Sequence, residues 1–181
     1  MFAPRPRRGT EVNVKKMIFA AWLLLIAFAV SCAPARADPI AVLKSPARAE
    51  IVIEKNGCEA RGVLTLGQLS DTGERELELT LTAPESVRGT VIKRIGGQSF
   101  AERSGISFET DAFDGVMELF LPGASGEATV TELDGVRVTR VAYLANGRSA
   151  GVYLNGDGQP VLAESDGISV RIVWLETEAR A

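Results

Sequence analysis

Histidine is absent from the 181 residues, and that absence sorts the chemistry open to the other side chains. A Ser-His-Asp triad, a Cys-His pair and any zinc site containing histidine are excluded. Ser86 in Pro84-Glu85-Ser86 therefore has no base to activate it. Two carboxylate pairs, Glu76/Glu78 and Asp111/Asp114, have the residue types of a general acid and base. On a strand face or in a loop, solvated charge is their expected role. Asn155-Gly156-Asp157-Gly158 has the outline of a calcium loop, but Gln159-Pro160 follows where an EF-hand needs further oxygen ligands. A hairpin turn is the better reading, and Gly96-Gly97 also reads as a turn. Cys32 and Cys58 are too few for a four-cysteine metal site or a disulfide framework. Cys58 is expected to be a small, partly buried hydrophobe, the alternative being a reactive thiol or an intermolecular disulfide. No catalytic residue, cofactor or metal site emerges, and the chain reads as a protein that is not an enzyme.

Charge narrows the partners. The net charge of −3 hides an asymmetry: residues 1–37 carry Arg5, Arg7, Arg8, Lys15, Lys16 and Arg36 against Glu11 alone. The remainder has 14 basic and 22 acidic side chains. An acidic body matches nucleic acid poorly, since phosphates require a basic surface.

The basic leader has the form of an address. Lys15-Lys16 precede Met17–Val30, an uncharged apolar run too short for the roughly 30 Å hydrocarbon core. A basic stretch, a short apolar stretch and small residues after it make an export signal. Two cleavage positions compete. Ala35-Arg36-Ala37 before Asp38 fits release of a soluble domain, whereas Ala29-Val30-Ser31-Cys32 resembles a lipobox that would make Cys32 the lipidated first residue. A membrane-anchoring helix that stays attached is the third possibility. The expected organisation is a signal over 1–37, a linker over 38–48, a β-rich domain over 49–176 and a tail over 177–181.

From Ala49 onward short strands alternate with Gly, Asn and Asp punctuation. Ala49–Lys55 alternates Ile51 and Ile53 with Glu50 and Glu54, and Asn56-Gly57 supplies a tight turn before Gly62–Gly67. In Glu74–Leu81 a period of two places Leu77, Leu79 and Leu81 on one face and Glu76 and Glu78 on the other. Further strands are expected at Gly89–Arg94, Gln98–Arg103, Gly115–Leu121, Glu127–Leu133, Val136–Leu144, Ser149–Leu154, Val161–Glu164 and Gly167–Leu175. A phase slip between Val138 and Val141 predicts a bulge near Thr139-Arg140. Only Gln98–Asp111 leaves room for a short helix. The fold class is mainly β: a single curved antiparallel sheet forming a half-barrel, with a β-sandwich as the alternative.

Three stretches carry a family likeness. Leu79–Arg88 (LTLTAPESVR) with Gly89-Thr90-Val91-Ile92, then Gly105–Glu109 (GISFE), then Val152–Val161 and Ile168–Glu176, resemble signatures of LolA-like exported proteins and lipoproteins of Gram-positive bacteria. The resemblance implies a curved sheet around an apolar hollow that holds acyl chains, with helices as its lid. Related lipoproteins act in spore germination by binding a partner enzyme, so partner binding is equally implied. The stretch that should supply the lid, Asp111–Gly126, is short and contains Pro122, Gly123 and Gly126.

The expected function is a non-catalytic cell-envelope binding protein that engages a lipid or acyl chain, or an envelope protein partner. The alternative is a structural or assembly protein that forms a homodimer or pairs its sheet edges with another chain. The candidate ligand residues are Leu77, Leu79, Leu81, Phe108, Phe120, Tyr153 and Trp174, with Cys32 as a lipidation site and membrane anchor.

Overall fold

Residues 38–177 are described by a computed structural model, and within them the side chains of residues 174, 175 and 177 lie outside the description. The export signal, Cys32 and the tail beyond 177 also lie outside the described residues. Eleven strands form one sheet: β1 (Ala47–Lys55), β2 (Cys58–Leu66), β3 (Leu77–Ala83), β4 (Val91–Ile95), β5 (Gln98–Arg103), β6 (Ile106–Glu109), β7 (Pro122–Leu133), β8 (Val136–Ala145), β9 (Arg148–Leu154), β10 (Pro160–Ser165) and β11 (Ile168–Thr177). Among the described residues two short α-helices accompany them, α1 (Ala41–Lys44) and α2 (Asp114–Glu118), with one 3-10 turn at Glu85–Val87.

The spatial order is β6-β5-β4-β3-β2-β1-β11-β10-β9-β8-β7. Every neighbouring pair is antiparallel. The sheet is open, with β6 and β7 as its edges, so the half-barrel reading holds and the sandwich does not. The turns explain the meander. Asn56-Gly57 and Asp134-Gly135 have both central residues at positive φ (53° and 75°, 52° and 79°), the geometry that matches the twist of paired strands.

Alternation buries one face. Ala47, Ala49, Ile51 and Ile53 on β1, Leu64 and Leu66 on β2, and Leu77, Leu79 and Leu81 on β3 all lie on the core side. Curvature needs room at Gly62, where an added Cβ would sit 2.7 Å from the Thr80 carbonyl oxygen. The register shifts between Arg61 and Gly62.

Four expectations change. Gly115–Leu121 is no strand: α2 occupies it, and Gly115 allows the close approach, since a Cβ there would meet Ile168 Cδ1 at 2.5 Å. Gln98–Asp111 holds β5 and β6 rather than a helix. No register shift marks Thr139-Arg140 along β9, because Val138 and Val141 lie on opposite faces and both are buried. The expected linker 38–48 is part of the domain, with Ile40 and Leu43 fully buried under the sheet.

Candidate binding surface

The concave side of the sheet is covered by the chain itself. α1 brings Ile40 and Leu43, and the strap of residues 110–121, which crosses from β6 to β7, brings Val116, Met117, Leu119 and Phe120. Together with Leu64, Leu77, Leu79, Leu81, Ile92, Val141, Val152 and Val170 they form one core. Burial of each such side chain is worth about 1.5–3 kcal/mol, so the layer is held firmly.

Polar contacts fix this layer from both halves of the sheet. Arg75, two residues before Leu77 on the leucine face, is only 7% exposed. Its Nη1 donates to the carbonyls of Leu43 (2.7 Å) and Phe120 (3.4 Å), and its Nη2 to those of Lys44 (3.1 Å) and Ser45 (3.0 Å). One guanidinium thus joins α1 to the strap. Burial pushes its pKa down to about 10, and its Nε is buried without a partner.

On the other side of α2, Arg94 of β4 meets Asp114 (3.2 Å) and Glu118 (3.7 Å), and Ser99 of β5 donates to Asp114. Glu118 also accepts from Asn146 (2.9 Å) and faces Arg148 (3.4 Å). Tyr143 of β8 donates to the Leu119 carbonyl at 2.6 Å, and burial holds its phenol well above the ordinary value. At the chain's entry into the domain, the hydrogen bond from Lys44 holds the Asp38 carboxyl below its usual range.

The expected ligand residues separate into three groups. Leu77, Leu79, Leu81 and Phe120 come together, but as buried core. Phe108 shares their face and is 54% exposed. Tyr153 points to the opposite, convex face, where its hydroxyl donates to Glu164 (2.8 Å) and Arg140 lies over its ring at 5.8 Å. It is an outward residue because it pairs with Arg140 and Leu162 rather than with the Val152 row. The Trp174 side chain lies outside the described residues.

Register shows how Phe108 gets there. Ala49 pairs with Leu64, Leu64 with Leu79, Leu79 with Ile92, Ile92 with Ala101, and Ala101 with Phe108. This apolar row crosses six strands and emerges at the free edge. Ile106, on the same face of β6, is 68% exposed and escaped the sequence reading, although the alternation of Ile106 and Phe108 in the GISFE segment is its signal.

Two clefts open away from this row. One, about 350 Å³, lies among the turns at one end and includes Arg75, Arg94, Gly97, Leu121 and Gly147. The other, about 500 Å³, is bordered by Glu54, Arg140, Gly151, Glu164 and Ser169, residues of the convex face. Hydrogen bonding to Tyr153 raises the pKa of Arg140 there, and burial raises that of Tyr153. Glu76 and Glu78 are solvated, with Lys93 near both Glu78 (3.9 Å) and Glu102 (3.6 Å). Asp111 is exposed while Asp114 belongs to the α2 ion cluster. Cys58 is free and exposed rather than partly buried: it shares the face of Ala60 and Leu64 but lies at the turn end of β2, paired with exposed Lys55, past the end of the packed core. Asn155 Oδ1 accepts from the backbone N–H groups of Asp157 and Gln159, as a turn does. Among the described residues no helix is long and apolar enough to cross a membrane.

No protein-family model matches the chain, and no curated protein matches its sequence. Solved structures are similar in fold. MucB is 13% identical with a TM-score of 0.46, over 80% of this chain and 59% of that one. The Pseudomonas aeruginosa MucA/MucB complex gives 15% identity and a TM-score of 0.41, over 79% of this chain and 55% of that one. A LolA superfamily protein from Nitrosomonas europaea is 8% identical with a TM-score of 0.40, over 76% of this chain and 88% of that one. The chain thus spans less than two thirds of the MucB chain it matches, and each likeness is one of fold, not of activity.

Proposed function

We propose that this chain is an exported, non-catalytic binding protein of the cell envelope that takes an extended segment of an envelope protein along β6. The apolar row that leaves the core at Phe108 is the observation that carries this reading. β6 is paired on one side only, so its other side offers free backbone N–H and C=O groups. An added strand would gain main-chain hydrogen bonds while alternate side chains cover Ile106 and Phe108. A ligand inside the hollow would instead have to displace Met117, Leu119 and Phe120, each fully buried. That makes an acyl chain the less supported occupant. Export rests on the basic and apolar leader of residues 15–37, and membrane attachment through a lipidated Cys32 is the finer form of that reading.

Photo-crosslinking in the native host tests the proposal, with the reactive group at position 108 and a control at Glu102 on the convex face. A discrete polypeptide adduct at 108 and none at 102 is the expected result. Lipid adducts alone at 108, or equal labelling at both positions, would overturn the protein-partner reading.

A further inference from the structure

Open sheet edges invite pairing with other chains, and proteins usually blunt them with Lys, Pro, bulges or short strands. β7 is blunted over only half its length. Pro122, Gly123 and Gly126 fall in its first part, where the register with β8 shifts between Pro122 and Ser125 and again between Ser125 and Ala128. From Ala128 to Leu133 the pairing is unbroken. This second part (ATVTEL) has neither Lys nor Pro, and Thr129, Val130 and Thr131 are all β-branched. Val130 is 61% exposed.

The turn fixes which backbone groups face outward. Asp134-Gly135 is a two-residue turn of the primed kind, so Leu133 and Val136 form the hydrogen-bonded pair that closes it. Alternation then assigns Leu133, Thr131 and Thr129 to bonds with β8 and leaves the N–H and C=O groups of Ala128, Val130 and Glu132 pointing away from the sheet.

We propose that the occupant of this edge is β7 of a second copy, paired antiparallel about a two-fold axis so that the two sheets become continuous. Self-pairing is compatible with the charges for a geometric reason. Outward residues can stand opposite only outward residues, so Glu132 never faces Glu127. With the axis at Val130, the two Val130 side chains meet, Thr129 faces Thr131, Ala128 faces Glu132 and Glu127 faces Leu133. Like charges oppose one another only when the axis lies at Glu127, Glu132 or Leu133 (the last setting Glu132 against Asp134), where less of the regular segment is paired. Glu132 also has Arg137 opposite it on β8. The remaining obstacle is the acidic body of residues 38–181, whose self-repulsion salt would screen. This interface is separate from β6 and does not rest on the partner proposed there.

Sedimentation equilibrium of the processed protein from its host, over a concentration series at low and high salt, tests the proposal. A dimer that strengthens with salt is expected. Val130→Lys sets two ammonium groups at the axis and should raise the dimer dissociation constant about five- to tenfold. Val130→Pro removes an N–H that β8 does not use and should weaken the dimer with the far-ultraviolet circular dichroism retained. Phe108→Ser should leave association unchanged. A monomer under every condition would falsify the proposal. So would a dimer that both Val130 variants leave intact, or one that Phe108→Ser abolishes. Crosslinking at position 108 has no bearing on any of these outcomes.

Discussion

β6 runs for four residues and β7 for twelve, and each is hydrogen-bonded to the sheet along one side only. On β6 the apolar row of the core reaches the surface, so Ile106 and Phe108 are large, exposed and backed by buried Ala101 and Ile92. β7 leaves the core early: residues 123–130 are exposed without interruption, and apart from Glu127 the side chains of that run are small or β-branched. One edge offers side-chain grip over a short backbone, and the other offers backbone over a long, smooth run. The two edges thus present different surfaces, even though a single strap of twelve residues links them.

That strap is where the comparison breaks most easily. Phe120→Ala should cost about 3–5 kcal/mol, as expected for a fully buried aromatic, and should raise hydrogen exchange in β6 and β7 together. Exchange rising at one edge alone would mean the two edges are held independently.

A smaller effect is expected from Arg75→Met, which leaves the carbonyls of Leu43, Lys44, Ser45 and Phe120 without their shared donor. About 1–3 kcal/mol should be lost, with faster exchange confined to residues 38–46 and the strap. A uniform loss across the sheet would deny the guanidinium its local role.

Alkaline pH separates the β8 side from the α1 side. The phenol of Tyr143 is raised by burial, so the unfolded chain loses that proton first above about pH 10 and stability falls there. Arg75, lowered to about 10, gives up its proton earlier in the folded chain and opposes the fall over the same range. Tyr143→Phe removes the first effect. It should cost about 1 kcal/mol near neutral pH through the lost hydrogen bond to Leu119, and the deficit should shrink at about pH 11 in urea unfolding. A deficit that stays constant with pH would show that the phenol does not titrate differently on folding.

The smallest effect belongs to Phe108→Ser. With that side chain half exposed, melting should move little while the position-108 partner contact is lost. A large drop in melting temperature would place Phe108 in the core and dissolve the contrast with β7.

Much of this architecture was legible because a strand writes its faces at every second residue. Leu77, Leu79 and Leu81 announced the buried side, and Asn56-Gly57 announced its turn. Carrying the same count one step back would have placed Arg75 on the leucine face, and carrying it along β4 places Arg94 behind Ile92. Neither stands out in the sequence, because a charge breaks the hydrophobic signal that periodicity relies on. α2 was unreadable for another reason. Five residues are too few to display a 3.6-residue period, and the reason for a glycine at 115 lies in the distant Ile168, which a Cβ there would meet. Tyr153 faces outward beside Arg140, which an aromatic on a half-covered sheet does not announce.

The pairing of β1 with β11 at the middle of the sheet has a kinetic consequence. Ile51 finds its neighbour in Ile172, so the two arms can join only after nearly all of the domain is available. Contacts between such distant parts of a chain slow folding. An emerging polypeptide would hold two separate local meanders until its last strand arrived, and would stay threadable until then. A permuted chain that begins at β7 and ends at β6, with β11 joined directly to β1, would place every pair of neighbours in succession. It should reach the same sheet faster, at the expense of that delay.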